Sequence, residues 1–476
     1  MRKEILFIFL TISFFTSCAS KKTIGLNEVS NISIPDKWEI EIASSIDLNE
    51  KWWEEFNDPI LNRYLTTFLD KNIDIEKVML NTRKAKQGAV LSTSNLFPTF
   101  SGSINGSESE QNTAGFPPIF STLFGQNSDD VDTFNQENYN LSLNTQWEID
   151  LWGKLRQGRL ASKQQYLSIY YYEDFLRLSL VAEATKLYFS IIEAEQLVKN
   201  AEKKNENAEV LFNLYELRYR KGSISNKAYQ QSKILLNSSR SDLENKKNIL
   251  NTLKREANSL NRYYPSTDFI VSPNLPNSLP EFEAVIPADI VKKRPDLIAQ
   301  QYNLLSSSAL DKQALRTLLP TFNVVGSYGT STNELQDLLK EDFTVWSQGI
   351  NLFLPIFNAG KLVANKKIAK SNKEIAMLDF INSVLNAYKE IENYLQADLV
   401  SQNTLSRFEE NIISSKQIYD SSIREFEMGI ITFEETLNAS NEYYQNLDLL
   451  AGIKKIRLEQ RINLILAFGG GFKYIK

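Results

Sequence analysis

The sequence predicts a mainly α-helical chain with a small β-barrel part, built as two internal repeats that each hold two strands and long antiparallel coiled-coil helices. Three observations predict it. The first is a proline-free run from Lys154 to Lys221 with one early glycine, Gly158, and apolar residues in steps of three and four: Leu180, Ala184, Leu187, Ile191, Ala194, Val198, Ala201, then Ala208, Phe212 and Tyr215. That spacing is a heptad seam on one continuous helix. The second is duplication. Gly153-Lys154-Leu155 recurs as Gly360-Lys361-Leu362 and Gly222 as Gly429, both 207 positions on, so the two long helices are of equal length. The third is a change of period: Tyr139, Leu141, Leu143, Thr145 and Trp147 alternate with Asn138, Asn140, Ser142, Asn144 and Gln146, a strand with one apolar and one wet face.

The chain begins with Met1-Arg2-Lys3 and an apolar run from Ile5 to Phe15, broken by Thr11 and Ser13, and the single cysteine, Cys18, follows among small residues. Residues 1–17 are expected to be a lipoprotein signal peptide, cleaved before Cys18, whose thiol and amine then carry lipid. The mature chain would hold no thiol and no disulfide. Residues 18–57, polar with Trp38, Trp52 and Trp53, are expected to be irregular structure packed on the outside of the equatorial region.

The first repeat is assigned to 58–262. Asp58-Pro59 opens a helix to about Asp70, a second runs from about Ile73 to Asn95, and Pro98 stops it. Strands are expected at about 99–105 and 138–148, joined by a loop from Gly106 to Glu137 that is rich in Ser, Gly, Asn and Pro. Helices are expected at 154–221 and 223–261, the latter on a seam of Leu236, Ser239, Leu243, Leu250, Leu253, Ala257 and Leu260. Residues 263–287 form a proline-rich linker. The second repeat, 288–468, is expected to carry strands at about 321–328 and 345–356 and helices at 361–428 and 430–466, with 469–476 as a tail. Leu96-Phe97-Pro98-Thr99-Phe100 pairs with Leu318-Leu319-Pro320-Thr321-Phe322 at a separation of 222, so the first repeat carries about fifteen extra residues, and insertions in a repeat sit in loops.

A helix of this length would measure about 100 Å, roughly three times the hydrocarbon thickness of a bilayer, and Glu183, Lys186, Glu193 and Lys199 are too charged for lipid. It is not a membrane span. Strands of about ten residues with an apolar face suit a membrane barrel instead. Four strands cannot close one, and an open edge in lipid leaves backbone groups unpaired, so the barrel must be shared between chains. Two chains give eight strands, a barrel filled by its own side chains, whereas a wider one holds a channel.

Composition narrows the function. Hydrophobic residues are 42% of the chain and the formal net charge is −5, which argues against a nucleic-acid partner. There is no histidine, which removes most metal sites and every Ser/His or Cys/His triad. No carboxylate pair stands out for acid–base work. No enzyme and no cofactor are expected.

The lipobox at Cys18, Leu96-Phe97-Pro98 with Leu319-Pro320, Lys293-Arg294-Pro295-Asp296-Leu297, Gly153-Lys154 with Gly360-Lys361, and Phe426-Glu427-Met428-Gly429 followed by Leu437-Asn438-Ala439 together resemble the TolC-like outer-membrane efflux proteins, and within them the NodT-type lipoproteins of tripartite pumps. The resemblance spans nearly the whole mature chain. It implies a homotrimeric TolC-like α/β-barrel in the outer membrane of a Gram-negative bacterium, lipid-anchored, with the long helices in the periplasm. Its partners would be a periplasmic adaptor (membrane fusion) protein and an inner-membrane RND or ABC transporter. Exit ducts of type I protein secretion use the same tube, and a soluble coiled-coil scaffold is the reading from another class.

In such proteins the helix tips pinch the tunnel, and acidic residues after the second turn ring it. Glu435 matches the first such position; Asn438 stands at the second and halves the expected charge. Around the two turns the charges oppose: Arg218, Arg220, Lys221 and Lys227 at the first, Glu425, Glu427, Glu434 and Glu435 at the second. Ion pairs between hairpin tips, with Phe426 beside them and Glu434 and Glu435 favouring cations, would form a gate; an adaptor-docking surface is the competing reading. Met428 is lone, and without histidine or a methionine cluster a dedicated copper channel is not expected.

Overall fold

A computed structural model describes residues 35–40, 51–112, 133–277, 279 and 287–470. Cys18 and the expected signal segment, residues 1–17, lie outside the described residues. In chain order the elements are α1 (Pro59–Lys71), α2 (Ile73–Ser94), β1 (Thr99–Asn112), β2 (Thr133–Ile149), α3 (Lys154–Arg220), α4 (Asn226–Leu260), α5 (Pro295–Arg316), β3 (Thr321–Thr332), β4 (Thr344–Phe353), α6 (Lys361–Glu427) and α7 (Phe433–Ala467). The duplication is metrically close: α3 and α6 each have 67 residues, and α4 and α7 each have 35.

Apart from α1, which lies against one side of α3, the helices pack side by side as one layer. α3 packs on α2 and α5 towards the sheet, and on α4 and α7 at the other end; α6 packs on α5 and α7. Two short helices thus stand end to end beside each long one, and each junction is spliced by a side chain. Asn72 caps α2, its Oδ1 accepting from the Asp74 and Ile75 amides at 2.9 and 3.1 Å, while its Nδ2 donates to the Leu260 carbonyl at the end of α4 at 3.1 Å. The equivalent splice in the second repeat is Arg294, at the start of α5, whose guanidinium reaches the Ala467 carbonyl ending α7 at 3.5 Å. Both splices answer the same need: carbonyls at a buried helix end must find donors.

The expected α3 seam packs as read: Ala184, Ile191, Ala194, Val198, Ala201 and Ala208 are buried. Midway along the wall, one side of α3 is covered by α1 and by the aromatics before it. Trp52, Trp53 and Phe56, expected as irregular surface structure, form a 3₁₀ turn and are buried with Tyr64, Phe68, Tyr188 and Phe189. Tyr188 donates to Asp58 at 2.9 Å and receives the Ser272 amide at 3.0 Å, tying the start of α1 to the linker between the repeats. Val271 and Leu275 of that linker are buried as well.

Further down, one carboxylate holds three helices. Asp448 of α7 accepts from Lys204 and Asn200 of α3, each at 2.8 Å, and from Lys246 of α4 at 3.3 Å. Replacing it with alanine leaves two half-buried ammonium groups facing each other, and a loss of about 2 kcal/mol is expected. Urea unfolding of D448A against the double variant D448A/K246M checks this, since removing the second charge should restore part of the loss.

The four strands form one antiparallel sheet in the order β1-β2-β3-β4. Its register brings Phe100, Ile104, Leu141, Leu143, Trp147, Val324, Tyr328, Trp346 and Ile350 to one face. Ser101, Ser103, Ser142, Asn144, Gln146, Asn323, Ser327, Ser347 and Asn351 share the other.

The strand ends differ from those expected. β1 continues to Asn112 and β2 starts at Thr133, inside the stretch expected to be loop. Ser107-Glu108-Ser109-Glu110-Gln111 has no apolar alternation, yet it pairs in register with Asn135 to Asn138 and its neighbours because a ribbon in water needs no apolar face. Conversely β4 stops at Phe353, short of 356, because Pro355 cannot donate to the ladder.

Candidate functional site

The sheet and the helix tips are the two places where this wall can act on something passing along it. On the sheet, the polar face is a lattice of hydroxyls and amides. Ser103 and Ser142 hydrogen-bond at 3.0 Å, the Asn144 amide donates to both at 3.3 and 3.1 Å, and Ser331 meets Asn138 at 3.2 Å. From Thr99 to Ser107, the odd-numbered positions of β1 and their partners on β2 carry no charge up to Gln146. Such a surface hydrates a solute path without selecting by charge.

The opposite face is apolar over a definite height. From Ile149 to Tyr139 the strand rises about 33 Å, which at a barrel tilt near 40° is about 25 Å across a bilayer, the height of the apolar band in membrane barrels. Beyond Tyr139, Glu137 and its partner Glu108 replace apolar residues on that face, and β3 and β4 end. The outer part of β1 and β2 is therefore a two-stranded ribbon standing clear of the apolar band.

At the far end, both hairpins close in the same way. Gly222 and Gly429 sit at φ +70 and +74, where only glycine is unstrained. Each ends its long helix with a pair of back-bonds, Ser223 N to Arg218 O at 2.9 Å and Ile430 N to Glu425 O at 2.8 Å among them. Ser225 and Thr432 then cap the returning helices. Aromatic contacts brace each turn: Tyr219 stacks on Tyr229 at 4.8 Å, and Phe426 meets Phe433 at 5.3 Å.

The residues singled out in the sequence separate into distinct roles. Glu435 is the N3 residue of a capping box: its carboxylate accepts from the Thr432 amide at 2.7 Å and hydroxyl at 2.8 Å, and its own amide donates back at 3.2 Å. The Thr432 amide first, and the hydroxyl with it, hold this carboxyl below the ordinary range. A depressed value means the cap contributes at neutral pH and is lost as acid protonates it. The pattern Thr432-x-x-Glu435 was readable as a capping box.

Glu434, the next residue back, accepts a hydrogen bond from the Tyr215 hydroxyl of α3, and so joins the first hairpin to the second. Partial burial, then this bond and the carboxylate's charge, push the phenol up to about 12, so it stays a donor at any physiological pH. Tyr215 was read as a seam residue; its hydroxyl partner lies 219 positions on, a link no local pattern signals.

Arg220 pairs with Glu216 of its own helix at 2.7 Å. Among the described residues no ion pair joins Arg218 or Arg220 to Glu434 or Glu435 within the chain. Phe426 and Asn438 are exposed at the tip. No group of three metal-ligating side chains occurs among the described residues, and no helix there is long and apolar enough to cross a membrane.

Residues 65–260 and 286–470 match the outer membrane efflux protein family. Similar curated proteins include the pyoverdine export outer membrane protein OpmQ of Pseudomonas putida, 21% identical over 463 residues and 93% of each chain. The cation efflux system protein CusC of Escherichia coli is 23% identical over 430 residues, 89% of each. Among solved structures, the CmeC outer membrane channel of Campylobacter jejuni superposes with a TM-score of 0.80 at 23% identity, covering 94% of both chains.

Proposed function

The chain belongs to the outer membrane efflux protein family, and from that premise we propose that it is the passive exit duct of a tripartite efflux pump, closed as a homotrimer. It is an efflux channel of the outer membrane. The observation that carries the finer reading is a pair of unlike open edges. Among the described residues, α2, α4 and β1 have no packed neighbour along one side of the wall, and α6 and β4 have none along the other. Ile234, Leu235 and Ile249 stand exposed on the first edge, and Ile375, Leu378 and Leu399 on the second. Unlike edges join head to tail, and such contacts close into a ring when the rotation between copies closes, as a barrel in lipid requires of its edges. Three copies give twelve strands, wide enough for an aqueous bore.

In this reading Cys18 carries the lipid anchor. The helix tips meet the adaptor, which leads to an RND or ABC transporter of the inner membrane. Glu434, Glu435, Asn438, Phe426, Arg218 and Arg220 ring the narrow end, and the Tyr215–Glu434 bond holds the two hairpins of each copy together in the closed state. What passes is set by the transporter, since the Ser/Asn-lined barrel face is indifferent to charge.

Planar-bilayer recording tests this. The wild type should give small, cation-preferring currents. Y215F and E434Q should each raise single-channel conductance severalfold, and E434Q should also weaken the cation preference. Unchanged conductance in both variants would remove the gate from these tips, and a wild type that neither crosslinks as a trimer nor conducts would remove the duct.

A further inference from the structure

The helix ends beneath the sheet carry a charge pattern opposite to that of the whole chain. Over 83–94 of α2, 154–172 of α3, 312–316 of α5 and 361–373 of α6 there is no aspartate or glutamate, although the protein is acidic overall. The same stretches hold Arg83, Lys84 and Lys86; Lys154, Arg156, Arg159 and Lys163; Lys312 and Arg316; and Lys361, Lys366, Lys367, Lys370 and Lys373. Four of these meet carboxylates: Lys154 pairs with Glu148 at 2.6 Å and Arg156 with Asp150 at 3.2 Å at the strand-to-helix corner, and Lys370 with Glu374 and Lys373 with Asp311 lie at a looser 3.7 Å. Arg159, Lys163, Lys361 and Lys367 are exposed and meet no carboxylate among the described residues.

Between the apolar sheet face and these cations lies a tier of large exposed apolar side chains: Phe97, Leu151, Trp152, Ile356 and Phe357, the last two nearly fully exposed at 90% and 87%. Trp152 donates its indole N–H to the Pro320 carbonyl at 2.8 Å, and Trp147 donates to the Leu96 carbonyl at 3.0 Å, fixing both rings at the corners. Apolar band, aromatic tier and cationic tier follow one another in the order that hydrocarbon, interface and headgroups follow in a membrane.

The cations of α3 and α6 share a side of the wall with the residues that α1 and Trp38 cover. Stepping back along α3 by threes and fours from Tyr188, through Val181, Asp174 and Tyr170, leads to Lys163, Arg159 and Arg156. Tyr188 is on the side that α1 covers, stacked on Tyr64. On α6 the same stepping leads from Tyr388, which packs against Trp38, through Ile381 and Met377 to Lys370 and Lys367. With α1 outside the bore, these cations face away from it.

We propose that this collar binds the anionic phospholipid headgroups of the leaflet facing the helices, fixing how deep the barrel sits. The inference rests on the outer-membrane reading and on α1 lying outside the bore. Lipid A phosphates carry similar charge but belong to the opposite leaflet, above the apolar band.

The test uses the full-length protein in phosphatidylcholine bilayers doped with spin-labelled phosphatidylglycerol or phosphatidylcholine. The wild type should associate with the anionic label severalfold more strongly at low salt. The preference should fade in 1 M salt, where the screening length falls to about 3 Å. The variant R159Q/K163Q/K366Q/K367Q/K370Q should bring the ratio close to one while single-channel conductance stays as in the wild type, and the matching Lys→Arg variant should keep the preference. Should the glutamine variant fail to fold, the pair K366Q/K367Q must lower the ratio by a smaller step. An unchanged ratio in a folded variant overturns the proposal. So does a changed ion preference of the pore with an unchanged lipid ratio, which would put these side chains in the bore. Loss of wild-type conductance with lipid preference intact would count against the duct alone.

Discussion

R294A is expected to lower the stability of the folded chain by about 3 kcal/mol, and to do so from a position that touches neither membrane nor bore. The Arg294 side chain is only 6% exposed and donates to both oxygens of Asp296 at 3.0 and 2.7 Å, to Glu390 of α6 at 2.9 Å and to the Ala467 carbonyl. Burial opposes its charge, yet the bonds to Asp296 and Glu390 hold its pKa above the ordinary guanidinium value. Removing it strands the Asp296 carboxylate, leaves the C-terminal carbonyl of α7 without a donor and unlinks α5 from α6 and α7. R294K keeps a charge but lacks the planar fork that grips Asp296, so it should recover less than half. Denaturant unfolding of both variants, followed by helical circular dichroism, measures the difference. A loss under 1 kcal/mol for R294A would mean that Arg294 is not what joins α5 to α7.

G329A is expected to prevent assembly of the sheet. An added Cβ at Gly329 would lie 1.9 Å from the Leu141 carbonyl oxygen and 2.7 Å from the Ser142 Cα, both backbone atoms of the neighbouring strand. No rotamer change relieves a clash with backbone, so β2 and β3 must part at this point. In lipid, each backbone group left unpaired costs several kcal/mol. Gly349 is the control on the same sheet, since its added Cβ meets only the Val325 Cγ2, at 3.5 Å. Outer-membrane yield and heat-stable oligomer on gels should fall at least tenfold for G329A and stay near wild type for G349A. Equal yields would show that the β2–β3 register at Gly329 is wrong.

How much of this was legible in the sequence varied by element, for physical reasons. α3 and α6 were read to within a residue, ending at Arg220 and Glu427 against an expected 221 and 428, because proline absence, a heptad seam and a terminal glycine are all local signals. By contrast α4 and α7, expected from 223 and 430, start three residues later at Asn226 and Phe433, where Ser225 and Thr432 cap them. The membrane part of the sheet was legible because one face must be apolar. The ribbon from Ser107 to Asn112 was not, because strand pairing in water leaves no alternation to read. At the tips, the spacing of Glu435 from Thr432 is that of a cap, a local role the charge pattern alone did not reveal. Glu434 finds a phenol on the other hairpin instead of an arginine. The splices at Asn72 and Arg294 were beyond reach, since each joins residues more than 170 positions apart.

The two unlike borders of the wall have a genetic corollary. In the proposed ring each copy must offer a sound left side to one neighbour and a sound right side to the other, so a single faulty copy would interrupt any ring it enters and leave its healthy companions unsealed. Co-expressing a variant damaged only along α6 and β4 with the normal chain should therefore suppress efflux out of proportion to the faulty share.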